Sequence, residues 1–477
     1  MKNCIPLTVR GLLVALIVVV TQLPVRGQTC GNLNFQKQAD VTYPCSNEVL
    51  SMLRDPNRPY LYVANKEGGL KVYNVTTMSA PVLAASIATT SFGGLHVMNL
   101  DLQGDYLYLA LGNSFTNPQS AGLAVVSVSN VNQCVVTYTY ILPGSSSGGG
   151  VVKAEGNYVY LGAMQSGLVI FDASNKSALT KVGQLLPSLS FPPVTNPNAD
   201  TYNARGMAVK NGVVYLCYDA GGVRVINCTN PASPKESGRW CNSVMYLPTN
   251  KAKAYNNCVL NDSLLYVAVD YCGMEILNVK DTAHISLKGW WNPYNCPTNN
   301  WFSSPGHANE IHLDKNCGRV FLSTGKSQLH VIDVSHPSHP DSCGFYGGVT
   351  SNGGSWGLSV FQNELYLSYV CAVIPFYSSF TKWSAITFNG CINALRDDYW
   401  QEMTIYPQPA DHLLQVLFPS EPMNAHLQLL KLDGRLVYEQ AVKGVNATLN
   451  VESISPGIYL LQLVSGSQVR VRKIIIQ

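Results

Sequence analysis

The residues best suited to chemistry lie close together: His307, Glu310 and His312 form an H-x-x-E-x-H run. Two imidazoles and a carboxylate can ligate a metal, and a carboxylate near an imidazole can move protons. The spacing counts against a metal. In a strand Glu310 and His312 share a face while His307 falls on the other, so the three converge only if His307 lies in the preceding turn. The run is also not the HExxH helix of zinc proteases. No G-x-S-x-G elbow occurs, and no Ser-His-Asp or Cys-His set is recognisable. The GSSSGGG run from Gly144 lacks the Lys-Ser/Thr of a phosphate-binding loop. No catalytic residue, cofactor or metal is therefore assigned, and an enzymatic role stays open.

A second set stands out by its phase. Arg205, Asn256 and Trp356 lie about ten residues ahead of a recurring aromatic, with Asn309, Glu310 and His96 slightly further ahead of theirs. An Arg, a Trp, amides and imidazoles suit a polar or sugar-like ligand through charge-assisted hydrogen bonds and stacking. The same side chains equally suit filling and hydrating a channel. His307 joins this set if it sits in the turn.

The aromatics that set the phase are Tyr62, Tyr108, Tyr160, Tyr215, Tyr266, Phe321 and Tyr366, at intervals of 45 to 55 residues. Each sits in a unit made of a polar or glycine turn, an apolar strand, a glycine turn and a second apolar strand, as in NYVYLGAMQSGLVIFDAS from Asn157. The strands are nearly continuously apolar, as expected of a sheet buried on both faces, and no amphipathic helix lies between units. That period suits a four-stranded propeller blade. A ring of such blades leaves only short, protected edges, and its ligands gather at one mouth of the central channel. The fold class expected is all-β: a seven-bladed β-propeller followed by a small C-terminal β-sandwich.

Composition agrees. Of 477 residues, 46% are hydrophobic and only 12% charged, with net charge +3, so no basic field argues for nucleic acid. Lys2 and Arg10 precede an apolar run from Leu12 to Val20 and a polar stretch ending in Val25-Arg26-Gly27, which reads as a secretory signal peptide cleaved before Gln28. No later segment has the length of a transmembrane helix. Of 14 cysteines all but Cys4 remain after cleavage, and in an oxidising compartment most should pair. A turn at Gly221-Gly222 suggests a Cys217–Cys228 bridge, and Cys30–Cys45 is a second candidate.

The signatures GLVIFDAS and HVIDVSHPSHP resemble the LVIVD-repeat family, whose members form propellers in secreted or surface proteins; the likeness spans roughly residues 45 to 390 and brings no catalytic residues with it. The tail resembles the type A C-terminal sorting domain of the type IX secretion pathway of Bacteroidota. Its matching residues are Tyr406-Pro407-Gln408-Pro409-Ala410, Asp433-Gly434, Ser455-Pro456-Gly457-Ile458-Tyr459 and Lys473, with Gln408 where Asn is common. This resemblance implies a secreted or outer-membrane-attached protein with the export machinery as a partner. The propeller itself is expected to bind an extracellular glycan or protein, with a hydrolase or lyase at the channel mouth as the alternative. Taken without the motifs, the tail also reads as an ordinary carbohydrate-binding β-sandwich. The expected layout is a signal peptide at 1–27, an N-terminal segment at 28–44, the propeller at 45–398 and the sorting domain at 399–477.

Overall fold

The computed structural model describes residues 33–114, 117–246, 254–293, 295–296, 306–326, 328–347, 354–371, 381–389, 403–418, 425–465 and 468–477. The expected signal peptide, Cys30 and the boundary at 398 lie outside these residues.

Up to Phe388 the described residues form seven four-stranded antiparallel sheets, which we number as blades 1 to 7 in chain order. Their innermost strands are Ser51–Arg54, Val97–Gln103, Val151–Glu155, Gly206–Lys210, Tyr255–Asn261, Ile311–Asp314 and Gly354–Phe361. Each touches the next, and the strand at Gly354 touches the strand at Ser51, so the ring closes. The recurring aromatic occupies the second strand of every blade, and all seven are buried.

The apolar clusters explain the continuous hydrophobicity. Leu107, Leu109 and Leu111 of blade 2 pack with Tyr62, Leu70 and Val72 of blade 1, while Tyr108 and Ala110 from the same strand pack on Val159 and Leu161 of blade 3. Alternate residues of one strand thus serve two cores, each lying between neighbouring blades.

A glycine recurs in the hairpin between the second and third strands of blades 1, 3, 4 and 5. Gly69, Gly167, Gly222 and Gly273 have φ between 74° and 78°. A Cβ on any of them would lie 2.1 to 2.4 Å from a backbone carbonyl oxygen of the outer strand, so both conformation and close approach exclude a side chain. Residues in three of these hairpins, Lys66, Met164 and Asp219, bridge to Val97, Ala204 and Tyr255, each at the start of the next blade.

The segment at 28–44, set apart in the sequence, supplies a strand of the ring. Phe35–Tyr43 pairs antiparallel with Thr381–Phe388 and becomes the outer strand of blade 7. Cys45 bonds Cys371, 326 residues away, and so joins the two ends of the ring.

Two disulfide expectations are corrected. Cys45 pairs with Cys371 and not with Cys30. Cys217 and Cys228 are both free and buried. In their hairpin Cys217 faces Val223, whereas Cys228 donates its backbone N–H to Gly212, so the two thiols lie at opposite ends of the paired strands. The turn was right but the count across it places them too far apart. Cys217 meets Cys258 of blade 5 instead. Cys272 bonds Cys296, Cys317 and Cys343 are also disulfide-bonded, and Cys134, Cys241 and Cys258 are free, so most of the described cysteines are paired.

From Met403 onward two sheets face each other. One has three strands, Thr404–Tyr406, Leu413–Leu417 and Asn446–Asn450; the other has four, Ala425–Lys431, Leu436–Ala441, Gly457–Ser465 and Gln468–Ile476. Leu414, Leu427, Leu429, Leu449, Leu461 and Leu463 fill the space between them. Among the described residues no helix is long and apolar enough to cross a membrane.

Two outcomes follow. Removing the ring clasp with Cys45→Ala and Cys371→Ala together should lower stability by about 2–4 kcal/mol, read from urea unfolding. A Cβ at Gly238 would lie 1.7 Å from the carbonyl oxygen of Thr282 in the next blade. Gly238→Ala should therefore cost about 1–3 kcal/mol as overpacking, seen as a lower Tm.

Candidate functional site

The starts of the inner strands converge on one cavity of about 50 Å³, lined by Leu50, Met98, Asn99, Ser114, Gly150, Met164, Arg205, Asn256, Asn309, Glu310 and Trp356. Its position follows from the blade geometry. Residues about ten ahead of each aromatic open the innermost strand, where the ring brings all blades together.

Five of the seven residues singled out by sequence therefore line it: Arg205, Asn256, Asn309, Glu310 and Trp356. His307 lies just behind, with its ring 5.7 Å from Trp356 and 5.1 Å from Tyr271 and its Nδ1 3.1 Å from Asp270 Oδ1. His96 is elsewhere; it precedes Val97, and its backbone N–H donates to Gln119 Oε1 at 3.0 Å. Leu50, Met98 and Gly150 hold the same phase in blades 1 to 3, and the search for polar groups passed over them. Phase alone would have found them. Asn99 and Ser114 of blade 2 line it too, so the wall is polar at blade 2 and at blades 4 to 6, with Leu50, Met98, Met164 and Trp356 between.

The polar side is built by amides. Asn256 Nδ2 donates to Ala308 O at 2.6 Å, and Asn309 Nδ2 donates to His307 O at 3.1 Å and Ser355 O at 3.4 Å. Because those partners are carbonyls that only accept, each amide orientation is fixed. Asn256 and Asn309 are 4% and 3% exposed, and the Oδ1 of each has no hydrogen-bond partner. Buried acceptors left unmatched are costly and therefore uncommon.

Trp356 is only 7% exposed, so little of its ring is open to a stacking ligand. Arg205 sits 5.9 Å over that ring. Among the described residues its guanidinium makes no hydrogen bond or ion pair.

Among the described residues Glu310 is the only carboxyl in the lining. Asn257 Nδ2 donates to its Oε2 at 2.7 Å, and Lys153 and Arg205 favour its charge. Burial outweighs them and raises its pKa to about 7. Lys153 is itself paired with Asp101 at 3.1 Å. Burial, with the charge of Arg205, pushes His307 down to about 3, and burial pushes His312 down to about 4, so both imidazoles are neutral at pH 7. The H-x-x-E-x-H run does not gather: His307 turns to Asp270 while Glu310 turns to Asn257. Among the described residues no three His, Cys, Asp or Glu side chains form a metal-holding group.

The tail motifs come together by pairing. Ala410 N–H donates to Ile475 O and Gln477 N–H to Ala410 O, both at 2.9 Å, while Gln408 Oε1 accepts from Ile475 N–H at 3.1 Å. The stretch holding Tyr406, Pro407 and Pro409 is thereby fastened to the last strand, which presents Lys473 to solvent. Asp433 and Gly434 form the hairpin turn, with Asp433 Oδ1 accepting from Arg435 N–H. Gly457 opens a strand in which Tyr459, buried, donates its hydroxyl to Ser455 O at 2.7 Å.

Because the carboxyl of Glu310 is uncharged in the folded chain up to about pH 7 but ionises near 4.5 when unfolded, its contribution to stability is complete below pH 4.5 and is lost as pH rises through 7. Relative to Glu310→Gln, the wild-type chain should lose on the order of 1–3 kcal/mol across that window and change little above it. Parallel urea titrations from pH 4 to 8 check this.

Residues 404–477 match the family described as the secretion system C-terminal sorting domain. Residues 59–89, 149–186 and 320–347 match the LVIVD repeat, and fall in blades 1, 3 and 6. No curated protein matches the chain. Among solved structures, one described as the Mitotic Checkpoint Complex aligns with a TM-score of 0.50 at 11% identity, covering 79% of this chain and 99% of that one. The β-propeller domain of Cps50 (Swd1) from Myceliophteria thermophila gives 0.49 at 8% identity, covering 72% and 98%. At 11% identity the first of these speaks to fold alone. The chain is a β-propeller carrying LVIVD repeats with a secretion-system C-terminal sorting domain, and hence a secreted or cell-surface protein exported by the type IX pathway.

Proposed function

We propose that the exported propeller is a binding protein that holds an extracellular ligand, a glycan or a protein, at the channel mouth formed by blades 4 to 7. The observation that carries this reading is the polar wall that blades 4 to 7 bring to one cavity, with Asn256, Asn309 and Glu310 beside the guanidinium of Arg205, which makes no hydrogen bond among the described residues. Such a wall is complementary to a polar ligand that brings acceptors or a negative charge to Arg205. The cavity is small, so it seats a terminal group of the ligand while the remainder lies over the mouth. His307 backs this wall through Trp356. His96, outside the cavity, is left to the surrounding rim.

A second reading is a hydrolase or lyase working at the same mouth, and Glu310 favours it, since a carboxyl with a pKa of about 7 is poised to give and take a proton. Glycoside hydrolysis by the usual route needs two carboxylates, and among the described residues the lining holds only Glu310. Binding is therefore the better-supported function.

Glycan and peptide arrays probed with the purified full chain should return a set of ligands whose binding weakens tenfold or more in Arg205→Gln. Ligands held equally by the variant would remove the channel mouth from the function. Release of product from an array polymer, abolished in Glu310→Gln, would establish the enzymatic reading instead.

A further inference from the structure

The core between blades 4 and 5 gathers five cysteines, Cys217, Cys241, Cys258, Cys272 and Cys296. Cys272 and Cys296 are bonded to each other, so this core already assembles around one disulfide. The other three are not equivalent. Cys241 turns to the side chain of Tyr255, whereas Cys217 of blade 4 and Cys258 of blade 5 share a hydrogen bond. The remaining free thiols among the described residues lie elsewhere: Cys134 packs between blades 1 and 2, and Cys228 between blades 3 and 4.

Backbone geometry brings this pair together. Cys217 faces Gly206 across the first two strands of blade 4. A Cβ on Gly206 would lie 2.4 Å from Asn256 O and 2.5 Å from Asn257 Cα, so a glycine is what lets the inner strand of blade 5 lie this close to blade 4. Cys258 follows Asn257 directly, and its Sγ donates to Tyr215 O at 3.5 Å, in the strand that Cys217 ends. The two thiols thus meet across an apolar interface, one from each blade, and both are buried.

We propose that Cys217 and Cys258 are a site of oxidative cross-linking, and that in the exported chain they form a disulfide joining blade 4 to blade 5. Two S–H bonds break and one S–S bond forms. The two protons pass to water and the two electrons to the disulfide of a thiol–disulfide oxidoreductase, which leaves as a dithiol. Burial, and then contact with Cys258, hold the Cys217 thiol well above its usual pKa, so the thiolate that starts exchange is scarce once the core is packed. The bond therefore forms while the two blades are closing. Its place connects it to the cavity. Cys217 O accepts from Arg205 N–H at 3.0 Å, and Cys258 N–H donates to Asn257 Oδ1, whose amide nitrogen holds Glu310 Oε2. The cross-link lies directly behind Arg205 and Glu310 and fixes blade 4 against blade 5 at their level.

The test uses the full chain, exported to an oxidising periplasm and purified without reductant. It is denatured in N-ethylmaleimide, digested without reduction and read by mass spectrometry. A linked pair of peptides, one holding Cys217 and the other Cys258, is the expected result, with Cys134, Cys228 and Cys241 alkylated. Recovery of Cys217 and Cys258 as alkylated thiols would overturn the proposal, as would a bond from either to another cysteine. Urea unfolding gives a second readout, since a cross-link restricts the unfolded chain. The unreduced chain should unfold at higher urea than the reduced one, and this difference should shrink when Cys217→Ala and Cys258→Ala are combined. An undiminished difference in the double variant would also overturn it.

Discussion

Closure of the ring is the constraint on which the rest depends. Each blade is buried on both faces by its neighbours, so an open ring would leave the faces of blades 1 and 7 in water. The chain closes it with several independent contacts. Phe35–Tyr43 pairs along Thr381–Phe388, Cys45 bonds Cys371, and buried Glu48 accepts from Cys371 N–H at 3.1 Å while its other oxygen meets Lys66 Nζ at 2.9 Å. Arg54 reaches across to Glu364 at 2.8 Å. Glu48 thus ties the two ends of the ring while its charge stays compensated, which a buried carboxylate requires.

The same closure makes the cavity. Side chains separated by some fifty residues in the chain meet only because every inner strand starts at the same end of the channel. Amide side chains then knit neighbouring strands: Asn99 spans from Ser51 to the backbone of Val152, as Asn256 and Asn309 do further round. In Asn99 both ends of the amide are used. In Asn256 and Asn309 the nitrogen is used and the oxygen is left without a hydrogen bond.

The tail follows a different logic. Its motifs lie far apart in sequence yet two of them meet, because the segment from Tyr406 to Ala410 runs against the final strand and is held there by backbone hydrogen bonds. A sorting signal read by export machinery needs a fixed surface, and the sandwich supplies one with its own core, independent of the blades.

What the sequence determined by itself was everything that repeats or is local. The aromatic recurs because each blade needs the same buried anchor, so Tyr62 through Tyr366 announced the blades, and their phase located Arg205, Asn256, Asn309, Glu310 and Trp356. The closing motifs announced the tail. Tertiary structure alone decided what depends on distance around the ring. It placed Phe35–Tyr43 in the last blade, gave Cys45 to Cys371, and set Cys217 and Cys228 at opposite ends of a hairpin that the sequence had read as bringing them together. It also closed the ring of Trp356 to solvent and left the Asn256 and Asn309 oxygens unmatched. Periodicity is carried by neighbouring residues and is visible along one dimension, whereas partners across a closed ring are fixed by register and curvature, which no local pattern encodes.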